Sequence, residues 1–280
     1  MQLGLNLRNW GPHATPENLR RCAEIADRSA ITTIWVNDHL GLPLNEWDNA
    51  YGISLEMASI LDPLGVLSYV AAVTSRVNLG IAVLVIPYRP PLPTAKWLAT
   101  IQTLSEGRLW LGAGPGYLKE EFNALGVDRS RRGRLTDEAL ALIHHAFADG
   151  KVEIHGQPLS FAPTPPRPPI LIGGAPAFAF PRVIAHGDGW MPVGLLPDQL
   201  APAVTELHAR GLDAGRPQPR VIAMKTLPLE DRRAAVELAR AYRAVGVSQL
   251  VHTQGYSTPE EYAAIVHTLD EFVIPAVAGE

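Results

Sequence analysis

The chain has 280 residues, of which 47% are hydrophobic, a formal net charge of -4 and a single cysteine, Cys22. This length fits one large domain or two small ones with a well-filled core, and the small charge gives no reason to expect nucleic acid or an anionic membrane as a partner. One cysteine excludes an internal disulfide framework and no apolar run approaches the ~18 residues of a membrane helix, so we expect a soluble cytoplasmic protein.

Apolar runs alternate with helical patterns in the first part of the chain. Alternating leucines within 3–7 predict a strand, and Thr15-Pro16 predicts the cap and first position of a helix. A second strand is predicted at 33–37 and a second helix at 62–73. Each strand is thus followed by a helix.

The stretch 76–116 continues this alternation in its clearest form. Two near-continuous apolar runs, 79–86 and 109–112, flank a segment with apolar residues at helical spacing. Strands that are apolar on both faces are typical of parallel sheets covered by crossover helices. Ligand sites of such sheets lie at the carboxyl ends of the strands, so we expect the functional residues there.

The second half of the chain completes a repeating pattern. Residues 113–169 form an insertion with a basic run, an amphipathic helix, an extra strand at 151–154 and a proline cluster, after which strands alternate with helices again from residue 170. Eight strand candidates result. This count predicts a closed (β/α)8 TIM barrel, built by residues 1–280 as one domain with an insertion between strands four and five, rather than an open doubly wound sheet.

Strand two ends in Asp38-His39, the first candidate for chemistry. Imidazole titrates near neutral pH, so a histidine beside an aspartate can donate or accept a proton there. The alternative is a loop cap with an exposed ring. His13, just past strand one, is expected to face the same cavity, whereas the other histidines lack the spacing of metal ligands, and we expect no metal site.

Glycines follow strands four and five. The run 112–116 resembles a dinucleotide fingerprint only superficially, because Tyr117 stands in the place of the last glycine, and close approach of backbone to a flat ligand is the simpler interpretation. Gly173-Gly174 precedes a helix whose free N–H groups can hold a phosphate, the alternative being a tight turn. We expect Pro181 to be tolerated near the first turn of that helix.

Five motifs occur in a characteristic order along nearly the whole chain. They are Trp35-Val36-Asn37-Asp38-His39, the segment 80–91, the segment 107–122, Ile172-Gly173-Gly174 and Gly187-Asp188-Gly189-Trp190. With these motifs the chain resembles the bacterial luciferase-like superfamily, and more narrowly its branch of oxidoreductases that use the deazaflavin coenzyme F420.

The resemblance implies a barrel whose carboxyl-end mouth holds a flavin or deazaflavin. It implies that Asp38 contacts the coenzyme, that His39 lies near its reactive carbon as the proton relay, and that the Ala82-Val83 peptide is cis and presses on the ring. The cofactor residues expected on this basis are Asp38, Ala82, Val83, Val85, Gly112, Ala113, Gly114, Gly116, Tyr117, Gly173 and Gly174. The substrate is expected near Trp10, His13, Trp47 and Tyr51.

The sequence departs from this branch at two positions. Tyr117 replaces a glutamate that the sugar-phosphate dehydrogenases of the branch use as a second acid/base, and Ala175-Pro176 replaces a phosphate-binding serine or threonine. We expect an oxidoreductase that moves a hydride between F420 and a small organic substrate, acting as a homodimer. Arginines near the mouth are expected to attract the acidic tail of the coenzyme, unless they form a solvated loop. They are Arg89, Arg129, Arg131, Arg132 and Arg134.

Three alternatives stay open. The first is an FMN-dependent monooxygenase of the same superfamily, which uses reduced flavin and oxygen. The ring of FMN has the same shape as the ring of F420, so the sequence distinguishes the two cofactors poorly. A non-catalytic flavin-binding protein would keep the barrel without turnover. A metal-dependent barrel hydrolase commonly begins its site with His-x-His after strand one, where this chain has Asn6-Leu7-Arg8.

Overall fold

The structure is a computed structural model that describes residues 1–43 and 58–278. Eight parallel strands close into a barrel in the order β1-β10-β9-β8-β7-β4-β3-β2, and β5 and β6 form a separate antiparallel hairpin. The strands are β1 (Gln2–Asn6), β2 (Thr33–Val36), β3 (Asn78–Val85), β4 (Leu109–Gly114), β5 (Lys151–Ile154), β6 (Gln157–Ser160), β7 (Ile170–Gly173), β8 (Gly189–Met191), β9 (Arg220–Met224) and β10 (Gln249–His252).

Helices surround the barrel, as the alternating pattern predicts. The α-helices of the described residues are α1 (Pro16–Asp27), α2 (Pro63–Ala71), α3 (Pro91–Leu104), α4 (Lys119–Leu125), α5 (Arg132–Asp149), α6 (Pro176–His186), α7 (Pro197–Asp213), α8 (Arg232–Ala244), α9 (Pro259–Thr268) and α10 (Ile274–Val277). Short 3-10 turns lie at Ile86–Tyr88 and Arg129–Arg131, and a π-helical turn at Leu269–Val273 joins the last two helices.

The predicted (β/α)8 TIM barrel is confirmed. The structure also shows how the insertion is folded, which the sequence pattern showed only in part. The extra strand predicted at 151–154 is β5, which pairs with β6 outside the barrel. The expectation for Pro181 is wrong, because α6 starts at Pro176 and Pro181 therefore lies in the helix interior. The first helix begins as predicted, with the Thr15 hydroxyl accepting a hydrogen bond from the Asn18 N–H group.

The Trp35 side chain on β2 is fully buried and packs against the neighbouring strands β1 and β3. A Cβ atom added to Gly80 would lie 2.2 Å from the indole ring, and one added to Gly4 would lie 2.7 Å from its nitrogen. The indole N–H donates to the Gln249 side chain at 3.0 Å, so the ring is held by a hydrogen bond as well as by packing. The interior of the barrel around Trp35 is therefore a packed core, so a ligand cannot be held there.

His252 is a fully buried titratable group on β10. The Leu227 N–H group donates to Nδ1 at 3.0 Å, so Nε2 carries the proton and donates to Gln254 at 3.0 Å. Burial lowers the pKa of His252 to about 4, below its ordinary value near 6.5. The folded protein therefore holds this imidazole neutral over a pH range in which the unfolded chain protonates it.

We expect the free energy of unfolding to decrease as the pH falls from about 6.5 to 4, by up to about 3 kcal/mol from His252 alone. Above pH 6.5 the ring is neutral in both states, so the full contribution is present there. Urea unfolding at pH 7.5 and at pH 4.5 measures it. His252→Asn, whose side-chain oxygen can still accept the Leu227 hydrogen bond, should show a shallower pH dependence; an unchanged slope would contradict this assignment.

Candidate functional site

A cavity of about 320 Å³ opens at the carboxyl ends of β2, β3, β4, β7 and β8. Its wall is largely apolar or glycine, with an imidazole on one side. The lining residues are Asn37, Asp38, His39, Ala82, Val83, Val85, Gly114, Pro115, Gly116, Tyr117, Gly173, Gly174, Met191 and Val193. The structure thus brings together, from five strand ends, most of the residues that the sequence suggested for a cofactor site.

Some of the suggested residues lie elsewhere. Ala113 is fully buried, and neither Ala113 nor Gly112 is among the residues that line the cavity, so their contact with the ring stays a prediction. Trp10 and His13 do not line the cavity either: Trp10 forms a β-bridge with Ile60, and the His13 side chain is exposed. Trp47 and Tyr51 lie outside the described residues.

Val83 shapes the floor of the cavity. The Ala82-Val83 peptide is cis, as predicted, and the pairing of β3 with β4 shifts register between Ile81 and Leu84. A Cβ added to Gly114 would lie 2.6 Å from Cγ2 of Val83, and one added to Gly173 would lie 3.1 Å from Cγ1. These glycines therefore make room for the valine, a role that the sequence interpretation of close approach to a ligand did not include.

The Gly173-Gly174 turn leads into α6 on the same wall. Gly174 has φ +117°, and a Cβ placed there would meet open space within the described structure. Its carbonyl oxygen accepts a hydrogen bond from the Trp190 indole at 2.8 Å, so the Gly187–Trp190 motif fixes this turn. Among the described residues, no side chain caps the N-terminus of α6. An uncapped helix start beside a glycine cradle fits a phosphate.

The Asp38 side chain is fully buried and makes an ion pair beneath the cavity. Arg89 donates to its two oxygens at 2.7 and 2.8 Å, and the Val85 N–H group donates at 2.8 Å. Arg89 also contacts Asp62 at 2.6 Å. The carboxylate predicted to contact the coenzyme is thus held by Arg89. The guanidinium of Arg89 is already paired with two carboxylates, and its attraction of an acidic tail stays a prediction.

His39 lies on the cavity wall and contacts a buried carboxylate that we did not assign to the site from the sequence. Its Nδ1 is 3.3 Å from Oε2 of Glu121, which also accepts the Tyr88 hydroxyl at 2.5 Å, while Oε1 accepts the Leu40 N–H group at 2.6 Å. Burial raises the pKa of Glu121, but the hydrogen bonds from His39, Tyr88 and Leu40 outweigh burial and leave it below its ordinary value. Glu121 is therefore ionised at neutral pH.

A signal for Glu121 exists in the sequence. Leu118, Glu121, Phe122 and Leu125 recur at the spacing of one helical face, so the glutamate occupies a position where an apolar residue is expected. An acidic residue at such a position is costly unless it is paired, which makes it a candidate for a functional contact. In the structure Glu121 and Phe122 are both buried.

Asn9, which follows β1, supports this half of the mouth. Asn9 is fully buried and bonds both the N–H and the carbonyl of Asn37, at 2.9 and 2.8 Å, which fixes the end of β2 next to His39. The buried Asn6 side-chain oxygen has no hydrogen-bond partner among the described residues. Asn6 does not line the carboxyl-end cavity, so this oxygen is not assigned to the site.

A second cavity, of about 290 Å³, lies at the opposite end of the barrel. Its charged groups are already engaged: Arg167 pairs with Asp188 at 2.8 Å, Arg216 donates to two backbone carbonyls, and Arg220 stacks on Trp110 at 4.8 Å. The carboxyl-end cavity, where ligands of such barrels bind, is therefore the better site. Within residues 1–43 and 58–278, no cluster of metal-binding side chains occurs and no helix is long and apolar enough to cross a membrane.

A parallel (β/α)8 barrel with an imidazole and a carboxylate in contact at its carboxyl-end mouth has the architecture of a TIM-barrel enzyme. The family model described as luciferase-like monooxygenase matches residues 4–271, and the chain belongs to that family of oxidoreductases and monooxygenases. Over 214 residues the chain is 28% identical to an uncharacterized protein of Mycobacterium tuberculosis, covering 72% of this chain and 73% of that one.

Solved structures share the fold over almost the whole chain. Monooxygenase RslO1 from Streptomyces bottropensis has a TM-score of 0.81 and 22% identity, and 99% of this chain and 100% of that one are covered. An F420-dependent secondary alcohol dehydrogenase in complex with an F420-acetone adduct has a TM-score of 0.77 and 17% identity, with 99% of both chains covered. The oxygenating constituent of 3,6-diketocamphane monooxygenase from Pseudomonas putida, in complex with FMN, has a TM-score of 0.79 and 12% identity, again with 99% of both covered.

Proposed function

We propose that the protein is an F420-dependent oxidoreductase that transfers a hydride between the deazaflavin coenzyme and a small organic substrate. The observation that carries this proposal is the contact of His39 with the buried Glu121 carboxylate on the wall of a largely apolar cavity. Oxidation of an alcohol, or reduction of a ketone, needs a group that removes or supplies a proton at oxygen as the hydride moves. His39 is placed for that task.

The residues present fit a planar ring with a phosphate-bearing tail. Val83, Gly114, Gly116 and Tyr117 would contact the ring, and the Gly173-Gly174 turn with the start of α6 would hold the phosphate. The bound coenzyme would supply or accept the hydride. Asp38 would act indirectly, by holding Arg89 and the Val85 backbone in place under the ring.

The substrate would lie against the rest of the mouth. Met191 and Val193 offer apolar contacts there. No lysine or arginine lines the described cavity, so an uncharged substrate fits better than a sugar phosphate, in agreement with Tyr117 in the place of the second acid/base. The participation of Trp10, His13, Trp47 and Tyr51, the homodimer and the cytoplasmic location stay predictions.

An FMN-dependent monooxygenase is the second candidate. The description of the matching family model and the FMN-bound relative of the same fold favour it. In that case the same walls would hold reduced FMN, and the small apolar cavity would exclude water from the reaction with oxygen.

Calorimetric titration of the purified apoprotein with F420 and with FMN distinguishes the two. We expect tighter binding of F420; submicromolar binding of FMN without binding of F420 would overturn the proposal in favour of the monooxygenase. Gly174→Ala should weaken binding of the preferred cofactor, because its Cβ would enter the cradle. Gly156→Ala is the matched control, since Gly156 also has a positive φ and open space but lies in the β5–β6 turn.

A further inference from the structure

We propose that Glu121 is a positioning residue that holds His39 in the tautomer with its proton on Nδ1, so that Nε2 is the nitrogen that exchanges a proton with the substrate. The proton exchange between Nε2 and the substrate rests on the proposed function, whereas the tautomer of His39 does not.

Glu121 joins three segments of the mouth. It is the third residue of α4, and it is buried with only 4% of its surface exposed. One oxygen accepts the N–H groups of Leu40 at 2.6 Å and Gly41 at 3.4 Å, and the other accepts the Tyr88 hydroxyl at 2.5 Å and faces Nδ1 of His39 at 3.3 Å. A single carboxylate thus fixes both the backbone that follows His39 and the ring itself.

The direction of the hydrogen bond follows from the charge of the carboxylate. An ionised carboxylate can only accept hydrogen bonds, so Nδ1 of His39 must be the donor in this contact. In a neutral imidazole one nitrogen carries the proton and the other accepts, which makes Nε2 the basic nitrogen. The separation of 3.3 Å lies at the long end of the range for a hydrogen bond.

Tyr88 keeps Glu121 in its place. Burial raises the pKa of Tyr88, and the neighbouring Glu121 raises it further, so the phenol stays protonated and remains a donor to the carboxylate. The Tyr88 ring packs edge-on against Phe122 with a centroid separation of 5.1 Å. The geometry of the Glu121 oxygen that faces His39 is therefore set by a packed aromatic pair.

The tautomer can be read directly by nitrogen NMR. In protein labelled with [15N]histidine, long-range proton–nitrogen spectra at pH 8 distinguish the two neutral tautomers, and loss of one signal set in His39→Gln identifies His39. We expect the Nδ1–H form in the wild-type apoprotein. In Glu121→Gln the Nε2–H form should become populated, because an amide can donate to Nδ1. Glu120→Gln, an exposed neighbour on the same helix, should leave the spectrum unchanged.

Kinetics then test whether the tautomer matters. With substrate and F420, Glu121→Gln should lower kcat about 10²-fold with little change in KM, Glu121→Asp should recover part of the loss, and Glu120→Gln should behave as wild type. Should Glu121→Gln unfold, Tyr88→Phe tests the same network, with a smaller shift toward the Nε2–H form expected.

The outcomes separate this proposal from the proposed function. A wild-type His39 in the Nε2–H form, or a Glu121→Gln protein whose His39 signals and turnover match those of Glu120→Gln, would overturn it. An Nδ1–H tautomer in the wild type that changes in Glu121→Gln, in a protein that does not bind F420, would support the positioning role and refute the choice of cofactor.

Discussion

Replacing His39 by alanine is expected to lower kcat with the true substrate by about 10²–10⁴-fold, the range typical of a lost general acid or base. His39 is the imidazole that lines the cavity, and its contact with the Glu121 carboxylate holds it in one orientation. Coenzyme affinity should change little, because the apolar walls and the Gly173-Gly174 turn that would hold the cofactor are untouched.

Steady-state kinetics and calorimetry of His39→Ala provide the measurement. His145→Ala is a suitable control, because His145 is an exposed histidine on α5 that pairs with Asp149 on the helix surface. Full turnover in His39→Ala would show that His39 is a structural cap. Tyr117, which lines the same cavity with its ring centroid 6.0 Å from that of His39, would then be the next candidate, followed by His13.

The barrel could be predicted because its causes are local. Each barrel strand is a short apolar run, and each helix shows apolar residues at helical spacing, so the alternation is visible without any tertiary contact. The hairpin of β5 with β6 lies in the insertion, where the strand at 151–154 could be recognised but its partner at 157–160, exposed on both faces, could not. An exposed strand carries no hydrophobic pattern that reveals it.

The site could be predicted only as far as the ends of strands. Topology brings the residues after β2, β3, β4 and β7 together, and the sequence shows which residues those are. Which way a side chain turns depends on partners far away in the chain. Asp38 turns to Arg89, and His39 contacts Glu121, 82 positions later. The position of Glu121 on an apolar helix face indicates a paired carboxylate, but the sequence pattern does not identify its partner.

The glycines illustrate the same limit. Their presence after β4 and β7 correctly indicated that backbone comes close to something. The structure shows that at Gly114 and Gly173 this neighbour is the Val83 side chain of the adjacent part of the barrel, whereas Gly174 faces open space. The spacing of glycines cannot distinguish contact with a ligand from contact with another strand, because both need the same missing Cβ.

Asp38→Ala is expected to lower the free energy of unfolding by about 3 kcal/mol, the lower end of the usual cost of removing one partner of a buried ion pair, because Arg89 keeps its contact with the half-exposed Asp62. The Asp38 side chain is fully buried, and only 14% of the Arg89 side chain is exposed, so solvent can do little to compensate the guanidinium. The Val85 N–H group would lose its acceptor as well. Urea unfolding of wild type and variant at pH 7.5 measures the difference.

A double-mutant cycle separates this structural role from the coenzyme contact that the sequence suggested. Arg89→Ala in the Asp38→Ala background should cost much less than Arg89→Ala in the wild type, because the two residues act as one pair. Asp62→Asn is the control: Asp62 also contacts Arg89, but half of its side chain is exposed, so the loss should be about 1 kcal/mol or less. The opposite result would be an Asp38→Ala protein that is nearly as stable as wild type but binds F420 much more weakly. That result would favour direct contact of Asp38 with the coenzyme, and the carboxylate would then have to turn from Arg89 toward the cavity when the coenzyme binds.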